Sequence, residues 1–314
     1  MAKASPAPLI TLTPPQQAVF WSKYRMLWML WRRQGGKSFL FGNKALSRCI
    51  SLPNHLACYV SGSLNMGQEI VIKEVQVWTK LIDAMRIAAA QAGKQLVTNA
   101  DDDNGKLLDP AAIADLLEHS KLECTIRHST TAFSRTRVLS PNPDTARGYS
   151  GDVFGDECAF WPDFRATMDA VEPIISRNPT WLLWMATSPP SDDSHPTFEM
   201  LLPQRDSWPV NAAGNWYETN SDEEGYGYPV HRADAHDFDA AGLPLYSLKT
   251  GKPISIEDAR KLAIDKDAFD RNYLLQFVTG GASALSLSDL IAAQERGKDG
   301  GVAIRITEQL KLVA

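Results

Sequence analysis

The sequence predicts an α/β fold, with a mostly parallel sheet flanked by helices and a small C-terminal α-rich subdomain. First, continuous apolar runs such as MLWMLW and LACYV are typical of strands buried on both faces. Second, such runs alternate with segments of helical periodicity up to about residue 188. Third, the chain becomes polar and rich in glycine and asparagine after about residue 203. We therefore predict a core domain at residues 1–207 and a smaller lid or linker subdomain at residues 208–314.

Composition indicates a soluble intracellular protein. The 314 residues are 44% hydrophobic and 22% charged, which is ordinary for a globular chain with a sizeable core. We find no apolar run of membrane-spanning length and no secretory signal, so no membrane partner is expected. The four cysteines lack a C-x-x-C pair and are predicted to be reduced thiols. The net charge of −5 gives no overall footprint for nucleic acid, although a local basic surface would suffice.

The first part of the chain is predicted to alternate helices and strands. In order these are a helix at 14–25, a strand at 26–31, a helix at 37–47, a strand at 56–63 and a helix at 66–92. In the last of these, apolar residues recur at spacings of three and four, which lines one face. A coiled coil is the alternative, but the pattern is short, so a helix packed on the sheet is preferred.

The remaining segments contain further strands and two polar stretches. An acidic stretch at 99–106 is predicted to be a solvated turn, with a cation site as the alternative. The later elements are a hairpin at 122–129 and 131–140, strands at 152–157 and 180–188, a helix at 163–175, and short helices at 255–264, 266–277 and 286–297. The stretch HRADAHDFD, residues 231–239, is predicted to be a solvated loop. A metal site is the alternative, but His231 and His236 would face opposite sides of a strand.

The stretch WRRQGGKS, residues 31–38 and named here the phosphate loop, ends like a phosphate-binding motif. Gly35 and Gly36 allow the backbone to approach phosphate oxygens. Lys37 can reach the outer phosphates, and the Ser38 hydroxyl can bind Mg²⁺. The usual pattern has glycine where Trp31 stands, so a plain glycine-rich turn capped by Ser38 is the alternative.

Two further motifs follow apolar strands downstream. Asp156 and Glu157 end the run DVFGDE, where Asp156 can hold Mg²⁺ and Glu157 can orient the attacking water. Thr187 and Ser188 end the run TWLLWMATS, at a strand end of the kind that binds ligands in parallel sheets. Each motif alone could be a solvated strand terminus. Together with the phosphate loop, they predict a P-loop NTPase of the RecA or ASCE type that binds and hydrolyses ATP.

The order of these motifs resembles the ATPase domain of tailed-phage terminase large subunits, the DNA-packaging motors. Among terminases, the motifs are similar to those of Mu-like phages. RRQGGKS resembles their arginine-bearing Walker A variant, and DTARGYSGDVFGDECAFWPD resembles the stretch that leads into Walker B. MATSPP resembles their coupling motif, and TLTPPQQAVF resembles the upstream segment that contacts adenine. The resemblance covers roughly residues 10–205.

The resemblance implies a role for individual residues. The catalytic residues would be Arg33, Lys37, Arg147 and Glu157. The nucleotide would be contacted by Gln16 or Gln17 at adenine and by Gln34, Gly35, Gly36, Lys37, Ser38, Phe39, Asp156, Thr187 and Ser188. Ser38 and Asp156 would hold Mg²⁺. Arg33 would donate two hydrogen bonds to phosphate oxygens, with an ordinary salt bridge as the alternative. Arg147 would reach into a neighbouring subunit's site, with a purely structural role as the alternative.

The resemblance also implies the activity and the partners. ATP and Mg²⁺ would drive double-stranded DNA into a procapsid in the cytoplasm of the bacterial host. The expected partners are DNA, a portal protein, a small terminase subunit and further copies in a ring, a pentamer on the portal, while the isolated chain can be monomeric. No nuclease activity is expected from these residues, because the expected cluster of aspartates is not found. The alternatives are a helicase-like ATPase and a non-catalytic nucleotide-switched adaptor.

Overall fold

The computed structural model describes residues 10–91, 117–129, 131–140, 148–201, 215–219 and 227–277. The elements in chain order are α1 (Pro14–Phe20), β1 (Met26–Trp31), α2 (Lys37–Ser51), β2 (Leu56–Val60), α3 (Leu64–Gln91), β3 (Leu117–His119), β4 (Glu123–Arg127), β5 (Phe133–Leu139), β6 (Asp152–Asp156), α4 (Phe164–Val171), β7 (Leu183–Thr187), α5 (Pro196–Leu201), β8 (Trp216–Glu218), β9 (Pro229–Ala233), α6 (Ala235–Ala240), β10 (Leu245–Tyr246), β11 (Pro253–Ile254), α7 (Ile256–Leu262) and α8 (Lys266–Tyr273). Short 3-10 turns lie at Cys158–Phe160 and Glu172–Ile175.

The first nine strands form one sheet in the order β3-β4-β5-β2-β6-β7-β1-β9-β8. Each pair from β5 through β9 in this order is parallel, whereas β3, β4 and β8 add antiparallel edges. The prediction of a mostly parallel sheet flanked by helices is therefore confirmed. Since β7 lies between β1 and β6, the carboxyl ends of these three strands meet at one edge.

The central strand β1 is buried on both faces. Leu27, Met29 and Trp31 belong to the core cluster that also contains residues of α2 and α3. Trp28 and Leu30 belong to a second cluster, on the opposite face, with residues of α4. Because successive strand side chains point to opposite faces, a strand covered on both sides reads as a continuous apolar run.

The elements predicted within residues 14–188 and the helices predicted at 255–264 and 266–277 are present with the predicted type, while several ends differ. Strands β3 and β8–β11 and helix α5 were not predicted. Helix α1 ends at Phe20 rather than at residue 25, and α2 continues to Ser51 rather than ending at residue 47. The predicted hairpin is present as the antiparallel pair β4–β5. The acidic stretch at 99–106 and the predicted helix at 286–297 lie outside the described residues. No helix in the described ranges is long and apolar enough to cross a membrane.

The prediction of a solvated loop at residues 231–239 is wrong, because this stretch forms the end of β9 and the helix α6. His231 is buried in the sheet, and its Nδ1 accepts a hydrogen bond from Trp31 Nε1 at 3.0 Å. Asp234 caps α6 by accepting hydrogen bonds from the backbone N–H groups of His236 and Asp237. The polar residues of this stretch therefore lie in a strand and at the start of a helix. In the sequence, their close spacing resembles that of a loop.

The sheet also extends past residue 207, since β9 pairs with β1 and β8 pairs with β9. Both strands come from the segment that the sequence analysis assigned to the smaller subdomain. The division of the chain into units at residue 207 stays a prediction.

Candidate nucleotide-binding site

Three predicted motifs meet at the carboxyl edge of the sheet. The phosphate loop follows β1, Asp156 and Glu157 (the acid pair) lie at the end of β6, and Thr187 and Ser188 (the hydroxyl pair) lie at the end of β7. Because β7 pairs with both of the other strands, the fold brings together motifs that are far apart in the sequence.

The backbone of the phosphate loop turns sharply before α2 begins. Gln34 and Gly36 both have positive φ angles, of 59° and 79°. The Gly35 N–H donates a hydrogen bond to the carbonyl of Arg32 at 3.3 Å. Helix α2 then starts at Lys37, and the N–H groups of a helix's first turn have no partner within the helix. This arrangement is typical of an anion site at a helix N-terminus.

The Lys37 ammonium is held inside the loop. Its side chain is only 4% exposed, and Nζ lies 3.2 Å from Oε1 of Glu157. Nζ also donates hydrogen bonds to the carbonyls of Trp31 and Arg32, at 3.3 Å each. Lys37 thus links the loop to the acid pair at the end of β6.

Ser38 and Asp156 form a second link between the two motifs. Ser38 Oγ donates a hydrogen bond to Asp156 Oδ2 at 2.5 Å, between residues 118 positions apart. Burial and the neighbouring Glu157 raise the pKa of Asp156 to about 6, and Lys37 and Ser38 partly oppose this shift. In the described part of the chain, Asp156 Oδ1 and Glu157 Oε2 are buried without a hydrogen-bond partner.

These groups fit a magnesium ion and a triphosphate. Carboxylate and hydroxyl oxygens are the hard ligands that Mg²⁺ uses beside phosphate. The Glu157 carboxylate contacts the Lys37 ammonium, and the Asp156 carboxylate accepts a hydrogen bond from Ser38 in the first turn of α2. Glu157 has a positive φ of 52°, and such backbone strain is common at functional sites.

The hydroxyl pair contacts the segment that follows the acid pair. Thr187 Oγ1 accepts a hydrogen bond from the Ala159 N–H at 3.1 Å and donates to the carbonyl of Ser188 at 2.8 Å. Ser188 Oγ is buried and has no hydrogen-bond partner among the described residues. The end of β7 is therefore tied to the 3-10 turn at Cys158–Phe160.

Only one of the two candidate adenine residues lies at the loop. Gln16 is buried, its Oε1 accepts a hydrogen bond from the Thr13 N–H at 2.9 Å, and its Nε2 lies against Gly36. Gln17 is exposed and donates instead to the carbonyl of Leu12 at 2.7 Å. The adenine contact itself stays a prediction.

The other predicted residues have different surroundings. Arg33 and Gln34 are exposed on the phosphate loop, where a bound anion could reach them. Phe39 is partly buried and packs against the core cluster that includes α2 and α3. Arg147 lies outside the described residues.

Arg32, the buried neighbour of Arg33, was not among the site residues predicted from the sequence. Only 4% of this residue is exposed, and Nη2 donates to the carbonyl of Leu243 at 2.9 Å. Its guanidinium carbon lies 5.1 Å from the centroid of the Phe238 ring. Burial lowers the pKa of the guanidinium, which Tyr273, Asp239 and Asp234 oppose. Two adjacent arginines in the sequence do not indicate which of them is buried.

Comparison with known proteins identifies the fold. The ATPase domain of the Thermus phage P74-26 large terminase matches at a TM-score of 0.55 and 18% identity, over 85% of this chain and 94% of that chain. A single-residue mutant of that domain matches at a TM-score of 0.58 and 18% identity, over 85% and 95%. No protein-family model and no curated protein matches the sequence. The chain thus has the fold of a phage large-terminase ATPase domain. The assignment to the Mu-like type stays a prediction.

Proposed function

We propose that this chain, which has the fold of a phage large-terminase ATPase domain, is an ATP-hydrolysing motor that moves double-stranded DNA into a procapsid. The observation that carries this proposal is the convergence of the phosphate loop with the acid pair. Lys37 contacts Glu157, and Ser38 contacts Asp156, so the groups that ATP hydrolysis uses in P-loop enzymes lie together.

ATP would be held by its phosphates. The N–H groups at the start of α2 would face the phosphates, and the Lys37 ammonium would neutralise part of their charge. Ser38 and Asp156 would hold Mg²⁺, which supplies further positive charge to the phosphates. Arg33, exposed on the same loop, would place its guanidinium on the phosphate oxygens.

Glu157 would act as the general base. Its Oε2, which has no hydrogen-bond partner in the described segments, would accept the proton of the attacking water. In the structure, Glu157 Oε1 is paired with Lys37 at 3.2 Å. Because the phosphates compete for the same ammonium, we expect ATP binding to release the carboxylate for catalysis.

The coupling role would belong to Thr187 and Ser188. Thr187 bonds to the Ala159 N–H, two residues after Glu157, so a displacement of the acid pair can reach the end of β7. Ser188 Oγ, buried and without a partner among the residues described, would sense the phosphate nearby.

The partners follow from the same proposal. Double-stranded DNA would be the translocated substrate, and a portal protein and a small terminase subunit would bind the motor in the cytoplasm of the host. Further copies would form a ring, with Arg147 of each copy serving the site of the next. These proposals rest on the resemblance of the motifs and on the fold.

The mechanism can be tested by measuring phosphate release and nucleotide binding. Glu157→Gln keeps the size of the side chain but removes the base, so we expect turnover to fall by about 10²- to 10⁴-fold while a fluorescent ATP analogue still binds. Glu172→Gln, at an exposed acid in a 3-10 turn, is the matched control and should retain full turnover.

Equal turnover in the parent and in Glu157→Gln would contradict the mechanism. Binding without turnover in the parent, also in the presence of procapsids and DNA, would favour the nucleotide-switched adaptor. Separation of DNA strands without packaging would favour the helicase-like ATPase.

A further inference from the structure

We propose that Arg32 is a positioning residue that holds the phosphate loop in the shape that binds phosphate, by anchoring it to residues 233–243. This inference rests on the proposed binding of ATP at that loop. It assigns different roles to the two arginines: Arg33 is exposed and free to contact a phosphate, whereas Arg32 is buried and acts through Lys37.

The backbone of Arg32 lies at the centre of the loop's hydrogen bonds. Its N–H donates to the carbonyl of Ala233 at 3.0 Å, which continues the pairing between β1 and β9. Its carbonyl accepts from the Gly35 N–H and from Lys37 Nζ, at 3.3 Å each. The orientation of this residue therefore sets one of the three contacts that hold the Lys37 ammonium, beside those with Trp31 and Glu157.

The side chain of Arg32 also holds the residue in this orientation, through contacts with Leu243 and Phe238. Nη2 donates to the carbonyl of Leu243, and the guanidinium lies over the ring of Phe238. The same ring packs against the loop, since a Cβ added to Gly35 would come within 2.8 Å of it. One buried aromatic ring thus contacts both the guanidinium and the glycine that approaches phosphate.

A purely structural role would not favour arginine at this position. Nε and Nη1 of Arg32 are buried, and neither has a hydrogen-bond partner in the described part of the chain. Burying unpartnered donors on a charged group is costly, and apolar residues of similar volume often replace such groups without loss of stability. Stability and nucleotide affinity should therefore respond differently to Arg32→Met.

The test compares Arg32→Met with a matched control at the other end of the same strand. Arg25 precedes β1 as Arg32 follows it, and its guanidinium also donates only to carbonyls in the described contacts, those of Ile175, Asn178 and Trp181. We expect Arg32→Met to weaken the binding of a fluorescent ATP analogue by about tenfold or more and to raise KM, while its Tm changes little. Arg25→Met should bind the analogue as the parent does.

A conservative variant provides the rescue. Arg32→Lys keeps the charge over Phe238 and one donor for the carbonyl of Leu243, so part of the affinity should return. Should Arg32→Met fail to fold, Phe238→Leu takes its place, because it removes the ring that Arg32 and Gly35 share.

The outcomes separate this inference from the proposed function. If the parent binds no ATP, the proposed function fails. If the parent binds and hydrolyses ATP and Arg32→Met does so with equal affinity, only the positioning role is overturned. Unchanged affinity in Phe238→Leu, where that variant replaces Arg32→Met, overturns the positioning role equally.

Discussion

Gly36 shows how one residue limits what the phosphate loop can contain. Its φ of 79° lies in the left-handed region, which residues other than glycine rarely adopt. A Cβ at this position would also come within 2.4 Å of Nε2 of Gln16. Backbone conformation and close packing therefore both require glycine immediately before Lys37.

We predict that Gly36→Ala weakens ATP binding. Left-handed strain costs about 1–3 kcal/mol, and about 1.4 kcal/mol corresponds to a tenfold change in affinity. The loss should be about tenfold or more, because displacement of Gln16 adds to the strain. The dissociation constant of a fluorescent ATP analogue measures this loss.

Gly251→Ala is the matched control for that prediction. Gly251 has a positive φ of 66°, but a Cβ there would meet nothing within 4 Å, and the residue lies between β10 and β11. This variant should lose stability without losing affinity. ATP binding in Gly36→Ala equal to that of the parent would contradict the role given to this glycine.

At the scale of the element, α3 carries an acid into the core. Glu74 is buried against the sheet, and its Oε2 accepts hydrogen bonds from Tyr59 at 3.2 Å and from Thr136 at 2.7 Å. Burial raises the pKa of Glu74 to about 8, although both hydrogen bonds oppose this shift. The folded protein therefore keeps this proton over a pH range in which the unfolded chain releases it.

We predict that this proton makes stability depend on pH. The reference pKa of the side chain is 4.5, so the folded state binds more protons than the unfolded state between about pH 4.5 and pH 8. The contribution of Glu74 to the free energy of unfolding should fall as pH rises through this window, by up to about 1.4 kcal/mol per pH unit. Glu74→Gln should flatten this dependence, as measured by urea denaturation between about pH 5 and pH 8.

Two comparisons make this prediction specific. Asp156, whose pKa is raised to about 6, contributes a slope of the same sign, and His231, whose pKa burial lowers to about 4, contributes a slope of the opposite sign. Both groups are present in the parent and in Glu74→Gln, so their effects cancel in the difference. Glu172→Gln, at an exposed acid, should keep the slope of the parent. Identical slopes in the parent and in Glu74→Gln would show that Glu74 does not hold the proton.

At the scale of the whole molecule, the strand that carries the phosphate loop depends on residues beyond 207. Strand β9 pairs with β1 over Trp28–Val230 to Trp31–Ala233. Trp31 also packs against His231 and Phe238, with ring centroids 5.7 Å and 5.5 Å away. Without these later elements, β1 would become an edge strand with an exposed tryptophan.

We therefore predict that a fragment of residues 1–207 does not fold cooperatively. A fragment of residues 1–277, which keeps every strand of the nine-stranded sheet, is the control and should unfold as cooperatively as the full chain. Near-UV circular dichroism and thermal unfolding measure the difference, because tryptophan packing dominates that spectrum. Cooperative unfolding of the shorter fragment would support a domain boundary at residue 207.

Much of the site could be predicted from local sequence, because most of its residues belong to short motifs. Gly36, Lys37 and Ser38 follow a strand, and Asp156 and Glu157 end another, as their patterns indicate. The inward turn of Arg32 could not be predicted, since it depends on Phe238 and Leu243 far along the chain. The misreading of residues 231–239 has the same cause, because burial of His231 depends on its pairing with β1.

By itself, the sequence determined the order of the main strands and helices up to residue 188 and the two halves of the site, but not β8, β9 or α6. Continuous apolar runs reflect burial on both faces, and glycines, acids and hydroxyls at strand ends reflect chemistry, so both are local properties. Only the tertiary structure decided that β7 lies between β1 and β6, and that β9 covers the other side of β1. The contacts of Lys37 with Glu157 and of Arg32 with Leu243 join distant segments, and such contacts arise from packing that no local pattern encodes.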